Sequence, residues 1–219
     1  TRRRNQRQMN RLVTFGCSLT YGSALENSKD SWPGQLATKW NLDLVNKGTA
    51  GSSTKRIWWD ILNFKFAKTD TVVILWTHMD RWCVLKDDDN HIEWDIPGKI
   101  HFYEKRKPRN DLVETKTAEA YYKYLHDDFD MLTQYLCYVN HASSYLQNQV
   151  KSQYHVRASQ PDKTLTFNRV NFLPIDFQEI RENYPTATDD HHPGKEAYTE
   201  FVRQINNVVN KESSYGKKQ

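Results

Sequence analysis

The first 76 residues repeat one pattern that narrows the fold to a parallel α/β sheet. Leu12-Val13-Thr14-Phe15 is a short β-rich run that ends at Gly16 and reads as a buried strand. A loop, Cys17 to Gly22, follows. Ser31 and Pro33 then mark a helix start, and Leu36, Ala37 and Trp40 give that helix an apolar stripe. Leu42 to Val45 is a second strand, closed by the Gly/Ser/Thr loop Asn46 to Ser53. Ile57, Ile61 and Phe64 recur at helical spacing, and Thr71 to Trp76 is the strongest strand in the chain. Strand, loop and helix in this succession predict βαβ units, with parallel strands covered by helices.

The rest of the chain departs from that rhythm. Trp82 to Pro108 is polar and rich in Trp and His, with the acidic run Asp87-Asp88-Asp89. It reads as an excursion from the sheet, with a hairpin near Pro97-Gly98, and long loops of this kind often serve as lids. Thr117 to Gln149 contains no Gly or Pro. Tyr121, Leu125, Phe129, Leu132, Leu136, Val139 and Leu146 keep an approximate helical stripe, which predicts a long helix broken near Asn140 and His141. Tyr154 to Ala158 is a weaker strand, and the stretch up to Pro185 reads as irregular. The last helix starts after Pro193, with Ala197, Phe201, Ile205 and Val208 on one face. The chain thus divides into a basic arm (1–11), one α/β domain (12–210) with an insertion at about 82–116, and a frayed tail (211–219).

Composition removes several classes. Charged residues make up 26% and hydrophobic ones 37% of the 219 residues, and the longest apolar run, Val72 to Trp76, is far too short to span a membrane. Aromatics at 13% argue against disorder. The net charge of +4 is uneven, because Arg2, Arg3, Arg4, Arg7 and Arg11 contribute +5 and leave the remainder near −1. A nearly neutral body weakens a nucleic-acid reading, so the Arg-rich arm is expected to be a solvated tail. Three scattered cysteines, Cys17, Cys83 and Cys137, form no disulfide framework and no C-x-x-C zinc site. They fit a reducing compartment, and no signal peptide is visible, so a cytoplasmic protein is expected.

Three segments carry chemistry, each at the carboxyl end of a strand or before the last helix, where open parallel sheets place their ligands. Ser18, in the turn after the first strand, has the setting a nucleophile needs, although loop serines also serve ordinary turns. In Gly48 to Ser53, glycine lets a backbone N–H approach a developing oxyanion, as it also lets a simple loop close. This loop is neither a dinucleotide fingerprint nor a phosphate-binding loop. In Asp189-Asp190-His191-His192-Pro193, an Asp three residues before a His can accept from its Nδ1–H and leave Nε2 facing a nucleophile. A polar cap with incidental histidines is the plainer reading. No H-E-x-x-H is present and adjacent histidines point in different directions, so no metal is expected.

The order and positions of these segments resemble those of the SGNH, or GDSL, hydrolase family. Gly16-Cys17-Ser18-Leu19-Thr20 is similar to its G-D-S-x-[ST] block. Asn46-Lys47-Gly48-Thr49-Ala50-Gly51 is similar to N-x-G-x-x-G, and Asp189 to Pro193 to D-x-x-H-P. The resemblance implies a flavodoxin-like three-layer α/β/α sandwich with a central, mostly parallel sheet. It implies Ser18 as nucleophile, His192 as base and acid, Asp189 as the group that orients His192, and the N–H groups of Ser18 and Gly51 at the oxyanion. Ester or acetyl-ester hydrolysis through an acyl-enzyme, on a small ester or an acetylated glycan, needs no cofactor. The Gly-Cys-Ser form with a long helical excursion also resembles compact SGNH-like proteins of bacteriophages, which implies a site of action in a virion or an infected cell.

Two positions depart from the family pattern. Cys17 replaces the Asp of the first block, which makes Cys17 a rival nucleophile. Met79, in Thr77-His78-Met79-Asp80, stands where the G-x-N-D block has its oxyanion Asn, and a thioether donates no hydrogen bond. His78, Arg81 or an Asn of the insertion are the candidate substitutes. Arg81 and Trp82, beside the site, are candidates for substrate binding, and Trp76 is expected in the core. Three readings stay open: a serine esterase or deacetylase, a non-catalytic binding module of the same fold motivated by Met79, and, last, a nucleic-acid-associated protein using its arm.

Overall fold

The computed structural model describes residues 10–85, 93–96, 120–159 and 168–215. Four parallel strands form the central sheet: β1 (Arg11–Gly16), β2 (Asp43–Gly48), β3 (Thr71–Trp76) and, later in the chain, β6 (Ser152–Arg157). Their order is β2-β1-β3-β6, with Leu12 beside both Leu44 and Thr71, and Thr71 beside Ser152. Beyond β6, a parallel bridge between His155 and Phe172 begins a fifth position. This is the start of the flavodoxin-like order.

Burial follows the strand period of two. Leu12, Val73, Leu75 and Val156 face a layer built from α2 (Trp32–Trp40), α5 (Phe177–Asn183) and α6 (Lys195–Tyr215). Val13, Phe15, Val72, Ile74 and Trp76 face the opposite layer, α3 (Thr54–Leu62) and α4 (Asp128–Gln147). Every residue of β3 is buried, as expected of a strand with helices on both faces, whereas β2 lies at the sheet edge and is largely open to solvent. The result is a three-layer α/β/α sandwich. No helix among the described residues is long and apolar enough to cross a membrane.

Several boundaries differ from those read in the sequence. Arg11 is the first residue of β1 rather than the end of the arm. Its guanidinium holds Asp70 with both arms, Nε to Oδ1 at 2.8 Å and Nη2 to Oδ2 at 2.6 Å, while the amide of Ala67 also donates to Asp70. Arg2, Arg3, Arg4 and Arg7 lie outside the described residues. Because the Asp70 side chain is fully buried, Arg11→Ala strands a carboxylate and is expected to cost about 3 kcal/mol. A urea titration checks this, and a loss below about 1 kcal/mol would make the contact an ordinary surface pair.

Helix α4 does not break at Asn140 and His141. Asn140 accepts from the amide of Arg169, and His141 accepts from the Trp58 indole, so both fasten the helix to its surroundings. The break falls earlier, at Asp127, whose carboxylate caps the amides of Phe129 and Asp130. Leu125 and Phe129, at 71% and 59% exposure, therefore leave the stripe, and Met131 and Tyr135 join it. The stretch before Pro185 contains α5, which follows the cap of Asp176 on the amide of Glu179. Helix α6 runs on to Tyr215, into the expected tail. In the insertion, β4 (Trp82–Leu85) pairs antiparallel with β5 (Glu93–Ile96). The hairpin expected near Pro97-Gly98 lies outside the described residues, as do 86–92 and the rest of 97–119.

Trp76 is in the core, where it finds an unforeseen partner. Its Nε1 donates to Nδ1 of His155 on β6 at 3.0 Å, the rings stack, and His155 Nε2 meets Gln153 Oε1 at 2.9 Å. This pairing requires the neutral ring with its hydrogen on Nε2. Burial lowers the His155 pKa to about 4. The unfolded chain binds this proton at higher pH than the folded one, so this stabilisation is complete above pH ~6.5 and fades towards pH 4, by a total on the order of 3 kcal/mol. Thermal melts across that range are expected to show a fall that His155→Gln flattens. An equal fall in the variant would assign it to other groups.

Candidate active site

The site lies at the carboxyl end of the sheet. β1 ends at Gly16, Cys17 turns the chain, and Ser18 opens the short helix α1 (Ser18–Tyr21). The amides of Thr20 and Tyr21 donate to the Cys17 carbonyl, and those of Gly22 and Ser23 to the Ser18 carbonyl. Cys17 itself is fully buried in the core layer under α2 and α6, a setting in which a thiol packs rather than reacts. Burial thus disfavours Cys17 as the rival nucleophile, although Ser18 is itself buried at 8% exposure.

The second block is bound directly to the first. Asn46 Oδ1 accepts from the Thr14 hydroxyl at 3.1 Å and the Gly48 amide at 2.9 Å, while its Nδ2 donates to the Thr20 carbonyl at 2.9 Å. The amide of Thr49 adds a bond to the Gly16 carbonyl. Gly48 is required by this approach, since a Cβ there would stand 2.4 Å from the backbone nitrogen of Tyr21. Gly51 takes the left-handed region at φ 87°, in the turn that Ser52 closes on the Thr49 carbonyl. Ser53 then caps α3 through the amide of Arg56.

After β3, His78 Nδ1 meets the Ser159 hydroxyl at 3.0 Å. Met79 packs into the layer formed with α3 and α4. Arg81 Nη1 donates to the Ser52 carbonyl at 3.4 Å, and Trp82 stacks on Tyr121 with ring centres 4.1 Å apart. Arg81 and Trp82 thus have protein partners of their own. They also line, with Met79, Lys55 and Tyr138, a shallow, open surface depression.

The final block forms a tight polar turn before α6. Asp189 Oδ1 accepts from the amides of His191 and His192 at 3.1 and 2.9 Å, and Oδ2 meets His192 Nδ1 at 2.5 Å. Desolvation pushes the Asp189 carboxyl up, but the His192 amide and imidazole and the His191 amide outweigh it and hold the group well below the usual carboxylate range. Asp190 takes the left-handed region at φ 56°, and the Ala187 amide donates to the His192 carbonyl. Two contacts place this turn against its surroundings: Thr188 Oγ1 donates to the Ala24 carbonyl just beyond α1, and Arg181 Nη2 donates to the His191 carbonyl at 3.2 Å. Arg181 went unread because α5 went unread, although Asp176 and Glu179 have the spacing of a helix start. Among the described residues no hydrogen bond joins Ser18 Oγ to His192, whose Nδ1 is taken by Asp189. Nor does any group of three or more His, Cys, Asp or Glu among them lie close enough to hold a metal ion.

No protein-family model and no curated protein sequence matches the chain. Solved structures do. A protein named TesA superposes with a TM-score of 0.53 at 11% identity, covering 90% of this chain and 97% of its own. LAE5, an alpha/beta hydrolase enzyme from the metagenome of Lake Arreo, Spain, gives a TM-score of 0.50 at 14% identity over 93% of this chain and 95% of its own. A member of the lipolytic protein G-D-S-L family from Veillonella parvula DSM 2008 aligns at 11% identity over 92% and 98%, with a TM-score of 0.49. The chain shares the α/β fold of TesA and LAE5. In this fold, Ser18 follows β1, Gly51 lies in the loop after β2, and Asp189 and His192 lie in the turn before α6.

Proposed function

We propose that the protein hydrolyses ester bonds through a serine acyl-enzyme, with small esters or acetylated glycans as substrates. The observation that carries this reading is the Asp189–His192 pair: a carboxylate held by two amides fixes one imidazole nitrogen and leaves the other to act on a hydroxyl.

The steps follow from those roles. Ser18 Oγ attacks the ester carbonyl carbon while His192 Nε2 takes its proton. The carbonyl oxygen becomes an oxyanion that the amides of Ser18 and Gly51 stabilise, with His78 as a candidate side-chain donor. The tetrahedral intermediate collapses, the C–O bond to the alcohol breaks, and His192 returns the proton to the departing oxygen. Water then attacks the acyl-serine with His192 again as base, which releases the acid and restores Ser18. Asp189 stays ionised throughout and stabilises the imidazolium.

The test is turnover of p-nitrophenyl acetate and of acetylated oligosaccharides, with intact-mass detection of the acetylated protein. Turnover accompanied by an acetyl adduct supports the reading. Met79 favours a second reading, a binding module of the same fold that turns over no ester, and glycan binding unaffected by Ser18→Ala with no turnover would favour that one.

A further inference from the structure

This inference rests on the ester-hydrolase reading and concerns the donor that Met79 cannot supply. The Met79 side chain packs away into the layer under α3 and α4, and its sulfur has no hydrogen to offer. His78 is engaged at Nδ1 by Ser159. Arg81 is placed differently. Its amide bonds back to the His78 carbonyl at 3.5 Å, closing a turn that returns Arg81 towards the end of β3. The Tyr122 hydroxyl donates to the Asp80 carbonyl at 2.8 Å and fixes that turn from the other side.

From this turn the guanidinium reaches the Ser52 carbonyl. Ser52 directly follows Gly51, whose amide is assigned to the oxyanion, so the cation touches the loop that would surround the developing charge. A guanidinium carries five N–H groups in a planar fork. At 3.4 Å the Ser52 contact is long for a charged donor, so a small shift of the head costs little. We infer that Arg81 replaces the missing Asn: anchored on the Ser52 carbonyl, it donates a further N–H to the substrate oxygen as that oxygen becomes negative. A cationic donor gains more from developing negative charge than a neutral amide does, which offsets the loss at position 79.

The test compares wild type, Ser18→Ala, Arg81→Ala, Arg81→Met and the double variant Met79→Asn/Arg81→Ala in p-nitrophenyl acetate turnover. Arg81→Ala is expected to lower kcat about 10²-fold with little change in KM, the pattern of a contact made only in the transition state. Guanidinium chloride at a sub-denaturing concentration is expected to restore part of the lost rate, and Met79→Asn to restore part of it from the other side. A merely structural anchor would respond to neither. Arg81→Met keeps the aliphatic stem and gives the same reading if Arg81→Ala folds poorly. Wild-type turnover in the Arg81 variants with Ser18→Ala inactive overturns this inference alone, as does a slow variant that neither addition rescues. Absence of any Ser18-dependent turnover in the wild type overturns the ester-hydrolase reading and this inference with it.

Discussion

Ser18→Ala is expected to lower ester turnover by about 10⁴-fold or more and to leave the fold intact. The two halves of that expectation have separate grounds. The backbone of Ser18 does the structural work, since its carbonyl receives the amides of Gly22 and Ser23, and alanine supplies the same carbonyl. The hydroxyl is the atom on which the proposed covalent step depends, and no neighbour replaces it, because the adjacent Cys17 thiol is buried in the core. Residual turnover would come from the backbone donors and binding alone. Steady-state kinetics beside a thermal melt measure both halves. A variant that keeps a tenth of wild-type kcat would remove Ser18 from the nucleophile's role.

The second large effect belongs to Asp189→Asn, expected to lower kcat about 10⁴-fold. An amide retains one oxygen, so the bonds from the His191 and His192 amides to Oδ1 survive and the turn keeps its shape. The group facing His192 Nδ1 becomes an NH2, which favours the tautomer with its hydrogen on Nε2, where the base must be empty. Because the Asp189 carboxyl is held well below the usual carboxylate range, its protonation does not shape the acid side of the wild-type pH–rate profile near neutrality. Asp189→Ala is expected to lose a similar rate and some stability as well, because the two amides lose their acceptor. If Asp189→Asn ran at the wild-type rate, the pair would be a cap and nothing more.

How far the sequence carried this account depends on the range of the interaction involved. The three strands and their loops were legible because short β-rich runs and Gly/Ser punctuation are local signals, whereas the order β2-β1-β3-β6 is set by long-range pairing. Asp189 and His192 were legible for the same reason, as three-residue spacing within one turn. What escaped were long-range partners. The Arg11–Asp70 pair spans 59 positions and the Trp76–His155 bond spans 79, and nothing near either residue announces the other. Arg181 was hidden because α5 is a short helix inside an irregular stretch. Asn46 was read as part of a motif, yet its work is to join two blocks through Thr14, Gly48 and Thr20. Position 79 was read correctly as unable to donate, but the turn that brings Arg81 to Ser52 is tertiary.

The most direct measurement of the central claim is intact-mass labelling with a fluorophosphonate probe, wild type beside Ser18→Ala. The phosphorus of such a probe is attacked only by an activated hydroxyl, and it requires no knowledge of the natural substrate. A single adduct on the wild type, absent from the folded variant, is the predicted result and establishes Ser18 as an activated nucleophile. A folded wild type that takes no adduct, or a Ser18→Ala variant labelled as readily, would contradict the account.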